Sequence, residues 1–590
     1  MLLRQARRGL RCLSGGPRAA IKAAETASTA GRSFFIESYG CAMNTSDSEL
    51  VRSILLKAGH RLAPDVSSAG LILVNTCAIR ENAEAKIWHR LAYFQSLRRQ
   101  PARQRGGGSP PPLVGVLGCM AERLKDKLLD EESVDFVCGP DSYRDVPRIV
   151  ELCLSTGQKE SNTQLSMETY ADIAPVRETE SSSAFVSIMR GCNNMCSFCI
   201  VPFTRGKERS RPMASIISEI SSLVKGESLV KEVCLLGQNV NGFHDTSPES
   251  AAAFPESTYK AAEGFRNINM SRKRNAPGAR FADLLSAVSE ISPELRVRFT
   301  SPHPKDFPDD VLAVIADRPN LCKSLHLPAQ SGSSSVLERM RRGYTREAYL
   351  DLFRRAREII PGVTISTDMI TGFCGETEEE HQESVSLMRE CQFDQAFMFA
   401  YSDREKTHAA RTMKDDVPEE VKLRRLQEVI DVFRAGVQER NRATEWGRLR
   451  LVLIEGPSTR TSPSAPMLTG RTDGNKRVIF PAPQQLLPSV SSSHFASLQA
   501  LLASHYSSSI KGSASDAGVA KGAHMAAVNA LVTEALGKLS QEDVVSLSAS
   551  TVAELTGKYA LCFIAEASGP TLRGVAVSLT TAQAASPAFL

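Results

Sequence analysis

AFVSIMRGCNNMCSFC, residues 184 to 199, joins an apolar, strand-like run to three thiols spaced C-x3-C-x2-C. Cys192, Cys196 and Cys199 sit close enough in sequence to grip one metal centre, yet they supply one ligand too few to close it. A structural zinc takes four N or S ligands, and an ordinary four-iron cluster takes four thiolates. The next thiol along the chain, Cys234, is separated from the triplet by a helical pattern. One iron of a cluster held here therefore stays open to a non-protein ligand. Free cysteines often serve as small buried hydrophobes, but that use does not call for this spacing.

Outward from this stretch, residues 184 to 441 alternate strand-like and helical segments. The strand-like runs are AFVSIMR, VKEVCLLG, LRVRFTS, CKSLHLP, VTISTDMI and FDQAFMFAY, with helical patterns near 213–225, 281–290, 306–316, 346–359, 377–390 and 418–441. Six βα units predict a partial, open barrel whose working face lies at the C-terminal ends of its strands. The triplet follows the first strand there, and GQNV (237–240), SPHP (301–304), PAQSG (328–332) and TGFCGET (371–377) follow later ones. Residues 245–275, rich in Ser, Ala and Lys, read as a surface insertion without chemistry.

Upstream, residues 33–150 carry the pattern of a parallel α/β sheet. The runs SFFIESY, LILVN and LVGVLG are each followed closely by a cysteine, so Cys41, Cys77 and Cys119 fall just past the carboxyl ends of strands. Ligands bind at that edge of open α/β sheets. Spacing alone leaves two readings open: a second centre that again lacks a fourth protein ligand, or thiols used as core filler. Cys12, Cys138 and Cys153 show no such placement. RRQPARQRGGGSPPP (98–112) reads as a Gly/Pro-rich loop whose basic residues are either solvated or touch nucleic acid. Downstream, WGRLRLVLIEG, GRTDGNKRVIF and KYALCFIAEASGPTLRGVAVSL (558–579) read as strands of a small antiparallel barrel, interrupted by a Ser-, Ala- and Gln-rich segment at 481–555.

At 590 residues the chain is long enough for about three domains. Its net charge of +5 is only a mild pointer to a polyanionic partner. Fourteen cysteines are too sparse for a disulfide scaffold in a chain of this size, which points to a thiol-reducing compartment. The first 35 residues hold seven Lys or Arg, no acid before Glu25, and Leu2, Leu3, Leu10 and Leu13 between the arginines. This is the composition of a mitochondrial presequence, with a solvated basic tail as the alternative. No secretory core and no run of 18 apolar residues is present, so no membrane association is expected.

The cysteine triplet with Phe198 before its last thiol resembles the cluster motif of radical S-adenosylmethionine enzymes. With it, ESYGCAMNTSDSE, VNTCAIRENAE, GCMAER, RGCNNMCSFCIVPFTRGKERSR, LLGQNVN, FTSPHP, HLPAQSGS and DMITGFCGETEEE follow in the order found in the tRNA methylthiotransferase family, the MiaB type. The resemblance covers about residues 33–480 and 556–579 and is greatest to the mitochondrial animal branch, named for association with an activator of cyclin-dependent kinase five. It implies a presequence over 1–32 and matrix localisation, a methylthiotransferase N-terminal domain over 33–150, a radical domain over 180–441, and a C-terminal TRAM barrel over 444–580 carrying the 481–555 insertion. Two [4Fe-4S] clusters are implied, on Cys192, Cys196 and Cys199 and on Cys41, Cys77 and Cys119. By the family mechanism the first cluster cleaves S-adenosylmethionine to a deoxyadenosyl radical. The second supplies sulfur to C2 of adenosine 37, usually isopentenylated on N6, and a second S-adenosylmethionine gives the methyl group. No side chain breaks an unactivated C–H bond, so a cofactor must carry that chemistry.

Candidates for holding S-adenosylmethionine around the barrel mouth are Phe198, Gly237, Gln238, Ser301, His326, Gln330, Ser366, Asp368 and Gly372. His326 has the alternative of a satisfied core histidine, Asp368 that of a helix cap or salt bridge, and Gly372 that of a glycine kept for positive φ. Arg205, Lys207, Arg209 and Arg211, beside the triplet, are the candidate phosphate contacts for a tRNA anticodon stem-loop, against the alternative of a solvated basic face. The base-stacking aromatic is not identifiable from sequence. The family commonly has Pro where this chain has Cys374, which favours a structural role there. The implied partners are tRNA and a ferredoxin- or flavodoxin-like reductant. Rival readings are methylthiolation of threonylcarbamoyl-adenosine tRNA or of a ribosomal-protein side chain, a regulatory protein that binds a kinase activator, and a structural metal module.

Overall fold

The computed structural model describes residues 31–78, 81–99, 110–177, 181–225, 229–266, 276–459, 466–483, 485–486, 545–546 and 552–582. Residues 1–30 of the expected presequence (1–32), most of the 98–112 loop, residues 267–275 and nearly all of the 481–555 segment lie outside them. Among the described residues no helix is long and apolar enough to cross a membrane.

The first layer is a six-stranded, all-parallel sheet of β1 (Ser33–Ser38), β2 (Arg61–Leu62), β3 (Leu71–Thr76), β4 (Leu113–Gly118), β5 (Phe136–Cys138) and β6 (Glu160–Asn162), in the order β2-β1-β3-β4-β5-β6. Alternation along each strand sends Phe34, Leu71 and Leu73 to one core and Ile72, Val74 and Val116 to the other. Both faces are covered, which is why LILVN and LVGVLG are apolar throughout rather than alternating. Helix α1 (Ala42–Lys57) follows β1 and helix α2 (Cys119–Leu129) follows β4. The sheet continues to Asn162, past the residue 150 at which the sequence pattern suggested its end. β6, ESN, has no apolar run to announce it.

The second unit is an open half-barrel of six parallel strands in chain order. β7 (Ser183–Ser187), β8 (Glu232–Leu236) and β9 (Arg296–Phe299) form one sheet, and β10 (Ser324–His326), β11 (Thr364–Thr371) and β12 (Gln395–Ala400) form another. A parallel bridge between Val297 and Leu321 joins the two. Helices between the strands share one continuous core with them, including Ile216, Leu284, Leu312, Phe353 and Met388. The 245–266 stretch is more than a surface insertion: Ala262 and Phe265 are buried in that core, and the Phe265 ring lies 4.8 Å from that of Tyr344. Its Ser/Ala/Lys composition hid two apolar anchors.

Helix α3 (Glu419–Thr444) leads to a closed five-stranded barrel of β13 (Leu449–Pro457), β14 (Met467–Thr472), β15 (Arg477–Pro481), β16 (Tyr559–Glu566) and β17 (Thr571–Thr580). Closure comes from parallel pairing of Arg477–Ile479 with Thr571–Arg573, so the intervening insertion does not open the barrel. The β14–β15 turn docks at the N-terminal ends of the half-barrel strands. Arg296 donates to the Arg471 and Leu451 carbonyls, and Arg298 to those of Thr472 and Asp473. Thr364 Oγ1 donates to the Gly474 carbonyl. The opposite, C-terminal ends remain available for chemistry.

Candidate active site

Three adjacent strands bring the N-terminal thiols to one edge of the sheet. Cys41 follows β1 as the N-cap of α1, Cys77 follows β3, and Cys119 follows β4 as the first residue of α2. Gly40, at φ +115°, makes the close approach: a Cβ there would lie 2.4 Å from Cys77 Cβ. The hydrogen bond from the Cys77 thiol, with Arg205 also nearby, lowers the Cys41 thiol to about 6. Cys119 is fully enclosed, and burial raises its thiol, opposed by Arg205. Helices α1 and α2 both begin here, and helix N-termini favour anions.

The second triplet follows β7 on a loop held at several points. Gly191, at φ +74°, receives the Gln238 side-chain oxygen on its N–H at 2.5 Å. Ser197 N donates to the Met340 carbonyl and Ser197 Oγ to that of Arg339, while Ala409 N donates to the Ser197 carbonyl. Cys192 and Cys196 are buried. Burial, with Glu208 adding to it, pushes Cys192 well above the usual thiol range, and burial beside Cys196 raises Cys199 to about 12. Arg342, itself buried, donates from Nη1 to Cys196 Sγ at 3.2 Å.

Around the mouth, the candidate cofactor contacts divide into groups. His326 is clamped between Ser366 Oγ (2.9 Å from Nδ1) and Asp368 Oδ2 (3.3 Å from Nε2) on the neighbouring strand. Ser301 and Gln330 adopt left-handed φ of +59° and +70°, a strained conformation for non-glycine residues that clusters at functional sites. Gly372 also has positive φ (+72°), and a Cβ there would sit 2.3 Å from Lys422 Cγ. Gln238 serves as an anchor of the cysteine loop, next to Gly237. Phe198 packs among Val336, Met340, Phe373, Cys374 and Tyr401. Cys374 is buried in that apolar cluster, and burial raises its thiol.

The basic loop differs from its sequence reading. Arg205, Arg209 and Arg211 are buried, paired with Asp47, Asp141 and Glu219 respectively. Their guanidinium groups are turned into the protein and away from solvent, so they are not placed to meet phosphate. Lys207 alone of the four is exposed. Sequence reasoning also passed over Phe397 and Phe399 on β12, which are 47% and 42% exposed. They pair in register with Asp368 and Ile370, and the Phe397 ring lies edge-on to His326 at 6.2 Å. Their alternation in QAFMFA was the available signal.

The segment that follows the second triplet packs against the first. Cys119 and Ala78 from the first domain pack with Ile200 and Phe203 from the loop after the second triplet. Arg205, six residues after Cys199, reaches back with Nε to Cys119 Sγ at 3.1 Å. Every described cysteine is a free thiol. Three soft donors at each centre, helix N-termini at one and a buried guanidinium at each make a donor set suited to iron–sulfur clusters.

Residues 33–139 match the Uncharacterized protein family UPF0004, and residues 186–388 match the Radical SAM superfamily. The "Mitochondrial tRNA methylthiotransferase CDK5RAP1" of Homo sapiens is 52% identical over 76% of this chain and 75% of its own. The chain belongs to the tRNA methylthiotransferase family. A "CDK5RAP1-like protein" of Oryza sativa subsp. japonica is 56% identical over 75% of this chain and 74% of its own. The "tRNA-2-methylthio-N(6)-dimethylallyladenosine synthase" of Chloroherpeton thalassium is 46% identical over 76% of this chain and 90% of its own. The two family matches each span one thiol triplet, so the family's two halves meet where Arg205 touches Cys119.

Proposed function

We propose that this enzyme is a mitochondrial tRNA-2-methylthio-N6-dimethylallyladenosine synthase, adding a methylthio group to C2 of isopentenylated adenosine 37. It uses S-adenosylmethionine and [4Fe-4S] clusters, which when bound supply the one-electron chemistry needed to break an unactivated C–H bond. The observation that carries the reading is the buried contact of Cys119 with Ile200, Phe203 and Arg205, just past the second triplet, since sulfur insertion needs a radical source and a sulfur source close together. Cys192, Cys196 and Cys199 are the proposed ligands of the radical-generating cluster, and Cys41, Cys77 and Cys119 those of the sulfur-supplying one.

The rest of the site fits this assignment. His326, with Ser366 and Asp368, offers polar partners for a ribose or an amino group inside the half-barrel. Phe397 and Phe399 offer aromatic faces for a base splayed out of the anticodon loop, which is how single-stranded RNA is commonly read. Exposed Lys207 in the basic loop, Arg341 next to the Met340 carbonyl that holds Ser197, Lys406 on the Arg123 carbonyl and Arg411 over the Phe203 ring are our candidates for the phosphate role that the buried arginines cannot take. A ferredoxin- or flavodoxin-like reductant in the mitochondrial matrix completes the proposal.

Mass spectrometry of nucleosides from mitochondrial tRNA tests it. The 2-methylthio product is expected with the wild type and absent with Cys119→Ala or Cys196→Ala. Unchanged product in cells lacking the gene refutes the assignment. A methylthiolated threonylcarbamoyl-adenosine redirects it to the sister substrate. A kinase-regulatory role, by contrast, would survive both substitutions.

A further inference from the structure

We infer that Arg205 is the counter-charge of the N-terminal three-thiol cage and the tie that holds it against the radical-domain loop. The inference rests on the reading of Cys41, Cys77 and Cys119 as cluster ligands.

Arg205 belongs to the radical domain, immediately after the short helix Val201–Thr204, yet its guanidinium lands wholly on the N-terminal domain. Nε donates to Cys119 Sγ at 3.1 Å, Nη2 donates to Asn44 Oδ1 at 3.2 Å, and Nη1 lies 2.8 Å from Asp47 Oδ2. The side chain is 4% exposed. Asp47 cannot neutralise it alone, because its other oxygen accepts from Arg190 at 2.9 Å. Asp141 is also shared: its Oδ1 accepts from Arg209 Nη2 and lies 3.8 Å from Arg190 Nε. The network of Arg190, Arg205 and Arg209 with Asp47 and Asp141 therefore holds one more positive charge than negative. All five side chains are almost fully buried. An uncompensated buried charge is expensive, so this excess calls for an anion, and the thiol edge at Cys119 is what Arg205 faces. A cage of thiolates around iron and sulfide is such an anion.

The radical-domain triplet repeats the device with a different residue. Arg342 donates to Cys196 Sγ, and its other partners, Tyr344 Oη and the Pro328 carbonyl, are neutral. Each cage thus has a cation of its own, and only the N-terminal one borrows it from the neighbouring domain. A fixed cation beside a cluster favours the reduced form, which carries one more electron. Arg205 accordingly holds the reduction potential of the N-terminal centre up, while its two contacts on α1 set the spacing between the domains.

The test uses the full-length chain with Cys192, Cys196 and Cys199 changed to Ala, reconstituted anaerobically so that only the N-terminal centre remains. Iron and sulfide counts come first. About four of each per chain support the ligand reading, and none overturns that reading independently of Arg205. An EPR-monitored reductive titration then compares variants. Arg205→Gln is expected to disfavour reduction at least tenfold, about 59 mV for a one-electron couple. Arg205→Lys recovers most of the shift, and Asp47→Asn moves the midpoint in the opposite direction. Arg342→Gln leaves this centre where it was. An unmoved midpoint in Arg205→Gln overturns the proposal, as do shifts of the same sign in Arg205→Gln and Asp47→Asn, since damage to packing carries no charge sign. Should Arg205→Gln fail to fold, Asp47→Asn still gives the sign: its midpoint is expected to rise, and an unmoved or lowered one overturns the proposal.

Discussion

Replacing Lys476 by Met tests whether the C-terminal barrel is locked to the half-barrel by charge. Lys476, at the end of the β14–β15 turn, is 2% exposed. Its Nζ lies 2.6 Å from Asn441 Oδ1, 2.9 Å from Asp394 Oδ1 and 3.1 Å from Glu445 Oε1. Burial alone would raise the Asp394 carboxyl, but Lys476 and Arg440 together hold it below the usual carboxylate range. Methionine matches the length of the lysine stem without its charge. Breaking a buried ion pair from one side costs about 3–5 kcal/mol, because the partner is left uncompensated. Here Asp394 keeps Arg440 at 2.8 Å and Glu445 keeps Arg450 at 2.7 Å, so the low end, about 3 kcal/mol, applies. At about 1.4 kcal/mol per tenfold, backbone exchange at the junction should speed up roughly a hundredfold. Hydrogen exchange read by mass spectrometry over peptides 391–400 and 467–481 measures this. Iron content should stay at the wild-type value, because the turn docks at the strand ends opposite the cages. Unchanged protection at the junction, or loss of iron with an intact junction, refutes the reasoning.

Three further outcomes are expected. Burial, with Asp141 adding to it, pushes the Glu122 carboxyl up from 4.5 to about 7, so the folded state binds the extra proton and stability falls as pH rises between those values. The full linkage of about 3.4 kcal/mol shrinks to about 1–2 kcal/mol for a partly exposed group, and Glu122→Gln should flatten the thermal midpoint between pH 5 and 8. Charge reversal at Lys207, Lys406 or Arg411 should weaken binding of an anticodon stem-loop and reduce its salt slope by roughly 0.7–0.9 for each phosphate no longer neutralised, measured by fluorescence anisotropy. Cys374→Ala should leave iron and sulfide counts unchanged and cost about 1 kcal/mol in stability by calorimetry, because that thiol fills space beside Phe373 and Tyr401.

What can be read from the chain alone is whatever it encodes locally. An apolar run ended by a cysteine marks both a strand and the edge where it stops, so the spacing by itself puts Cys41, Cys77 and Cys119 at neighbouring strand ends. The helical patterns between 213 and 441 come out within a few residues of the observed helices. The failures share one cause. A basic run such as TRGKERSR says nothing about its partners: Asp47 and Asp141 lie far upstream, in another domain, and even the nearer Glu219 reaches Arg211 only through the fold of the next helix. Three of its four cations therefore read as facing outward, whereas the fold turns them inward. The same blindness hid Arg342, whose thiol partner lies 146 residues away. Likewise β6 and the Ala262–Phe265 anchor acquire their roles only from neighbours distant in sequence. The consequence bears on how such an enzyme is built: the residues that bind iron are local and legible, while those that set its charge environment are long-range pairs. A sequence motif can thus identify the chemistry, but which arginine governs which centre is decided only when the two domains meet.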